Sequence, residues 1–136
     1  MSETEQSFRR WYDEVWNKRR RSVAHEIADP KMVFYDIDAD GNSLTGLDGF
    51  FAFSDQLLAA FPDLHFTVHD SIGIADSAAV RWTAQATHKG AWEGHAPTNK
   101  PVTLKGMGFA RWKNGKVVES WNEWDRLGLM KQIQGS

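Results

Sequence analysis

Four groups of residues in this chain have types and spacings that could do chemistry. His88 follows Trp82, Ala84 and Ala86 on an alternating, otherwise apolar run, where an imidazole could carry a proton into a pocket near neutral pH. Asp36 and Asp38 are two apart in a β-rich stretch, and paired carboxylates on one strand face drive each other's pKa apart. They sit beside Asp40-Gly41-Asn42, so solvated residues at a turn is the plainer reading. Asp125 precedes a helical pattern and can act as a base or simply cap the helix. His65 and His69 are four apart, which converges on a metal only in a helix. On a strand at about 3.3 Å per residue they lie about 13 Å apart, so no metal site is expected. No nucleophile elbow, P-loop or dinucleotide fingerprint occurs.

The elements that must hold these groups follow from periodicity. Phe8, Trp11, Tyr12, Val15 and Trp16 form one helical stripe, with Ser2 and Glu5 spaced as a capping box. A short second helix, Val23 to Ala28, must stop before Pro30. A strand over Met32 to Ile37 leads to the Gly41 turn. Thr45 and Asp48 repeat the capping-box spacing ahead of Phe50, Phe51, Leu57, Leu58 and Phe61, a third helix ended by Pro62. From Leu64 the period changes to two, and Leu64 to Ile74, Ala78 to His88, Val102 to Trp112 and Lys116 to Trp124 read as four antiparallel strands. Asn114-Gly115 supplies a type I′ hairpin turn. A closing helical segment runs from Arg126 to Ile133. The expectation is a single domain over residues 1–136 of the α+β class, helices first and a curled sheet covered on one face.

Composition narrows the function. Hydrophobic residues make up 41% of the 136 residues and seven are tryptophan, which suits a packed core rather than a disordered chain. Sixteen basic residues against eighteen acidic ones leave no excess to attract phosphate backbones or anionic lipid, so neither nucleic acid nor membrane is an expected partner. Lys18-Arg19-Arg20-Arg21 reads as a solvated helix end where cations meet the negative pole of the dipole. The absence of cysteine excludes disulfides and thiolate chemistry. Met1-Ser2-Glu3-Thr4-Glu5-Gln6 lacks the basic and apolar parts of a secretory leader, giving a cytoplasmic expectation.

The second half carries Thr87-His88-Lys89-Gly90, then Gly94, Pro97-Thr98, Gly115-Lys116-Val117-Val118-Glu119, and Asp125 through Gln132. This run resembles the H-x-G, G-x-x-P-T, D-G-K-I-x-E and D-x-x-G-x-x-x-Q-L elements of SnoaL-like polyketide cyclases, in the same order and nearly the same spacing. An aromatic first helix, Thr45-Gly46 and Phe61-Pro62-Asp63 extend the resemblance more loosely toward the amino terminus. It implies a cone-shaped α+β barrel of the kind shared with scytalone dehydratase and nuclear transport factor two. A strongly curved, mostly antiparallel sheet would wrap the N-terminal helices around an apolar pocket, usually in a homo-oligomer (dimer or tetramer). It also implies cofactor-free intramolecular aldol chemistry, in which a carboxylate removes an acidic C–H proton.

Carried over by position, the family's acid-base aspartate falls on Asn122 and its nearby histidine on Gly108, neither of which can move a proton. In the same frame Trp16, Phe53 and Phe109 would line a pocket with Gly108 and Asn122; strand alternation puts Trp124 on the face of Asn122, and the small side chains of Gly106, Gly108 and Ala110 on a neighbouring face leave room for a flat ligand. Three readings follow. One is a cyclase or isomerase acting on a small apolar, cyclic substrate, its proton carriers drawn from His88, Asp125 and Asp36. The second is a binding domain that has kept the pocket and lost the acid-base pair. The third is water addition of the epoxide-hydrolase kind, which needs Arg81 inside the cavity.

Overall fold

The computed structural model describes residues 1–135. Helix α1 (Glu3–Arg10) begins where Ser2 Oγ accepts the Glu5 N–H at 3.2 Å. Only half of the expected capping box forms, because the Glu5 carboxylate accepts instead from the Ser71 hydroxyl on a facing strand. The helix widens into a π-helical stretch over Trp11–Asn17, and Arg19 at φ 58° ends it. The Arg19 guanidinium donates to the Trp16 carbonyl and, at 2.9 Å, to that of Leu64, so one member of the basic cluster ties the helix end to the chain after α3. Lys18, Arg20 and Arg21 pair with Asp13, Glu14 and Asp55.

Helix α2 (Arg21–Ile27) leads into β1 (Ala28–Tyr35), which starts earlier than periodicity predicts. Pro30 is tolerated because pairing is irregular between Ala28 and Val33, where no ladder bond is required of it. After β2 (Leu44–Thr45), α3 (Gly46–Ala60) follows Thr45, whose hydroxyl makes no capping bond, contrary to the sequence expectation. The strands β3 (His65–Ile74), β4 (Ser77–Thr87), β5 (Pro101–Lys113) and β6 (Lys116–Trp124) form the expected meander, and α4 (Arg126–Gln134) closes the described chain. Asn114 and Gly115 at φ 53° and 78° make the β5–β6 turn.

The sheet is mixed, in the order β2-β1-β6-β5-β4-β3, with β1 parallel to β6 and every other pair antiparallel. It is open, with β2 and β3 at its edges. Bulges after Val68 and after Arg111 bend it around the helices. Its inner face carries Phe66, Val80, Trp82, Ala84, Leu104 and Ala110, which pack on the Phe8–Trp16 stripe and on Phe50, Phe53 and Leu57 of α3. No described helix is long and apolar enough to cross a membrane.

Candidate functional site

Between the π-helical stretch, α3 and the inner face of β3–β6 lies a small cavity lined by Tyr12, Trp16, Ile37, Phe53, Leu57, Phe66, Trp82, Leu104, Asn122 and Trp124. Its volume is about 40 Å³, and a second void of about 30 Å³ lies beyond a shared wall of Tyr12, Trp16, Ile37 and Asn122. Two lining residues carry oxygen-bearing side chains, beside the indole N–H groups of the tryptophans.

The first is Asn122. Its Nδ2 donates to the Tyr35 carbonyl and to Ser120 Oγ, both at 3.1 Å. A carbonyl partner fixes the amide orientation, since only the nitrogen can face it, and both amide hydrogens are used. Among the described residues the amide oxygen has no protein donor.

The second is Tyr12, which periodicity places in the apolar stripe without marking it as functional. Gly108 is the register partner of Asn122, and a Cβ built on Gly108 would lie 3.0 Å from the Tyr12 hydroxyl and 3.2 Å from the Phe8 ring. The space that a side chain at position 108 would occupy is therefore filled by the phenol. Burial pushes the Tyr12 pKa well above that of an exposed phenol, with the Trp82 side chain opposing only part of the rise. At neutral pH the group is a neutral hydrogen-bond donor or acceptor. The one signal in sequence was a hydroxyl-bearing ring among otherwise apolar stripe positions.

Trp16, Phe53, Asn122 and Trp124 line the cavity, whereas the other sequence candidates lie elsewhere. Phe109 is on the outer face of β5, one residue out of phase with Gly108, and its ring lies tilted against that of Trp121, 5.8 Å away. Gly106 opens no room either, because the Glu123 carbonyl, the Trp82 ring and the Trp124 side chain fill the space over it. Asp125 is exposed and accepts the Gly128 N–H at 2.8 Å as the cap of α4. Asp36 stands past the end of β1 at φ 56°, and Asp38 turns its carboxylate onto the Asp40 and Asn42 amides, so the two do not share a strand face. Among the described residues no three His, Asp or Glu side chains converge as a metal site, and His69 Nε2 bonds Thr83 Oγ1.

His88 is fully buried, yet it does not line the cavity. Its Nδ1 meets Thr98 Oγ1 at 3.0 Å and accepts the Thr98 N–H at 3.3 Å, which places the ring proton on Nε2, an atom without a partner among the described residues. The ring packs against Phe61 at 5.4 Å.

Residues 6–133 match the family model described as SnoaL-like polyketide cyclase. The chain belongs to the SnoaL-like polyketide cyclase family. Among solved structures, a protein assigned as a SnoaL-like polyketide cyclase from Jannaschia sp. CCS1 is similar, with a TM-score of 0.87 and 22% identity over 100% of this chain and 97% of that one. AclR from Streptomyces galilaeus, assigned as a hydroxylase, is similar with a TM-score of 0.85 and 27% identity over 100% and 83%. IdmH from Streptomyces antibioticus, assigned as a polyketide cyclase, gives 0.84 and 24% over 98% and 99%. No curated protein sequence matches.

The residues that make this SnoaL-like chain recognisable do structural work in it. Gly90 is pressed so closely on the Ala59 carbonyl that an added Cβ would lie 2.2 Å from the oxygen. His88 and Thr98 pin the two ends of the loop between β4 and β5. Gln132 forms a two-bond amide clasp on the Thr103 backbone, Oε1 accepting and Nε2 donating at 2.8 Å each, where β5 has run past the end of β6.

Proposed function

We propose that this SnoaL-like chain binds a small, flat, apolar molecule bearing a hydroxyl or enol group, and that it does so without the proton abstraction of the cyclase mechanism. One observation supports the reading above the others: the only oxygen-bearing side chains among the described residues of the lining are the Asn122 amide and the neutral Tyr12 phenol. Neither takes a carbon-bound proton at neutral pH. A hydroxyl on the ligand would donate to the Asn122 amide oxygen, and a neighbouring carbonyl would accept from Tyr12. Trp16, Trp82, Phe53 and Phe66 provide the ring faces that favour a planar partner.

At about 40 Å³ the cavity is smaller than the roughly 150 Å³ void that holds benzene, so binding requires the wall to move. Ile37 and Trp124 are the lining residues nearest a turn: the Trp124 indole N–H holds the Ile37 carbonyl at 2.8 Å, and Arg126 donates to the Asp36 and Asp38 carbonyls. Opening there would join the two voids.

A catalytic reading keeps one supporting feature. The Tyr12 hydroxyl occupies the place that the family resemblance gives to a histidine, and a neutral donor there could stabilise a developing enolate. It leaves the proton abstraction without a base. The epoxide-hydrolase reading is dropped, because Arg81 pairs with Asp70 at 2.7 Å on the outer face.

The test is a titration with hydroxynaphthoquinones and related phenols followed by tryptophan quenching, with α-proton exchange into deuterated buffer measured by NMR on the same samples. Saturable binding that Asn122→Leu weakens about tenfold or more, without exchange above the buffer rate, supports the proposal. Exchange that the protein accelerates and Tyr12→Phe abolishes would replace it with the catalytic reading.

A further inference from the structure

We propose that the groove between the end of the π-helical stretch and α3 is a ligand site in its own right, and that it takes a bicyclic aromatic carboxylic acid. The groove and the inner cavity share only Trp16, and neither Tyr12 nor Asn122 borders the groove. Its floor is apolar: Val15, Trp16, Phe50 and Phe51 are buried, and Leu58 on α3 is half-buried beside them. The groove measures about 250 Å³. A void of roughly 150 Å³ holds one benzene ring, so this space takes a second fused ring, and the aromatic side chains of the floor favour a flat one.

The rim supplies the charge. In the basic run Lys18-Arg19-Arg20-Arg21 three members have acidic partners, and among the described residues Arg19 has none. Its guanidinium donates to three carbonyl oxygens, those of Trp16, Pro62 and Leu64. Burial lowers its pKa, with the Asp63 carboxylate opposing the shift from beyond ion-pair distance, and it remains a cation at neutral pH. A partly desolvated cation held only by dipoles is where an added carboxylate gains most, because a charge-assisted hydrogen bond is about twice as strong as a neutral one.

Arg21 completes the rim. Its guanidinium lies 4.5 Å from the Phe51 ring centre and pairs with Asp55. The side chains of that pair are 53% and 59% exposed, so an incoming carboxylate can share Arg21 at little cost. Ser54 is buried and gives its hydroxyl hydrogen to the Phe51 carbonyl at 3.1 Å, which withdraws it as a donor. Two arginines against one aspartate leave one net positive charge in the groove, which suits a monoanion with an apolar body better than a phosphate.

Isothermal titration calorimetry on the intact chain tests the proposal, with 2-naphthoate, its neutral counterpart 2-naphthamide and inorganic phosphate as probes. The expected result is single-site binding of naphthoate, about tenfold or more tighter than the amide, with no competition from phosphate at equal concentration. Arg19→Gln should weaken it about tenfold or more, and Leu58→Glu, which puts a negative charge on the apolar wall, at least as much. Because Arg19 also ties the helix end, the exposed Arg21→Gln is the second variant, expected to weaken binding about threefold, and near-ultraviolet circular dichroism checks that each variant keeps its fold. Asn122→Leu should leave naphthoate binding unchanged, so failure of the inner cavity to bind phenols and failure of this site are separate results. No binding of naphthoate, equal affinity for acid and amide, or displacement by phosphate overturns the proposal. So does a loss in Asn122→Leu, which would put the acid in the inner cavity.

Discussion

Gly108 stands opposite Asn122 on the β5–β6 ladder, and the space above the glycine is taken by the Tyr12 hydroxyl rather than left open. A glycine there is required by packing, whatever the site binds.

Gly108→Ala is expected to lower stability by about 1–2 kcal/mol in urea unfolding, because Tyr12 and Phe8 must each give way by a few tenths of an ångström in a filled core. Tyr12→Phe removes an oxygen whose one side-chain partner is the Trp82 indole and should alter stability by under about 1 kcal/mol. Combined, the two should recover most of the loss, and additive costs would show that the phenol does not fill this space.

Asn122→Asp replaces the Nδ2 donor with a carboxylate facing the Tyr35 carbonyl. The folded pKa of the new acid must rise, so its penalty is absent below the unfolded value of about 4 and grows as pH increases through the folded pKa. Relative to the wild type, the Tm of this variant should fall between about pH 4 and pH 7, with a loss of about 2 kcal/mol or more at neutrality. A pH-independent difference would mean that the carboxylate escapes to solvent.

Asp63 provides the opposite sign. Desolvation acts to raise its pKa, but the Thr87 N–H and hydroxyl, at 2.7 and 2.8 Å, outweigh that and hold it below the usual carboxylate range. Its contribution is present above the unfolded pKa and lost as pH falls through the lower folded one. Asp63→Ala should cost about 1 kcal/mol at pH 7, and thermal melts of variant and wild type should converge below about pH 4.

Gly128→Ala would drive a methyl into the Asp125 carboxylate, 2.2 Å from the built Cβ. The carboxylate can swing away, giving up the cap of α4, at about 1 kcal/mol. Asp125→Ala should cost the same, and the double variant little more than either alone, since both lose one hydrogen bond. Additive losses in chemical denaturation would assign Asp125 a second role.

Most of the architecture was legible in the sequence because it is set by local periodicity and turn chemistry. The change from helical to alternating spacing at Leu64 located the meander, and Asn114-Gly115 located its last turn, since few other residues accept the positive φ that a tight hairpin demands. The resemblance to SnoaL-like cyclases rested on His88, Gly90, Thr98, Gly128 and Gln132, whose partners are backbone atoms or short side chains at defined separations; such contacts leave a recognisable spacing.

What the sequence could not decide was which of these groups share a space. Alternation separates the two faces of a strand but does not say where a strand ends, so Asp36 and Asp38 fell beyond β1, while the phase of β5 turned Phe109 outward. Tyr12 and Gly108 are distant in the chain, and only the curvature of the sheet around the first helix brings the phenol to the glycine. The fold follows from short-range preferences repeated along the chain. The chemistry of the cavity depends on one long-range packing arrangement, which makes a hydroxyl and an amide its polar groups and leaves every carboxylate outside its lining.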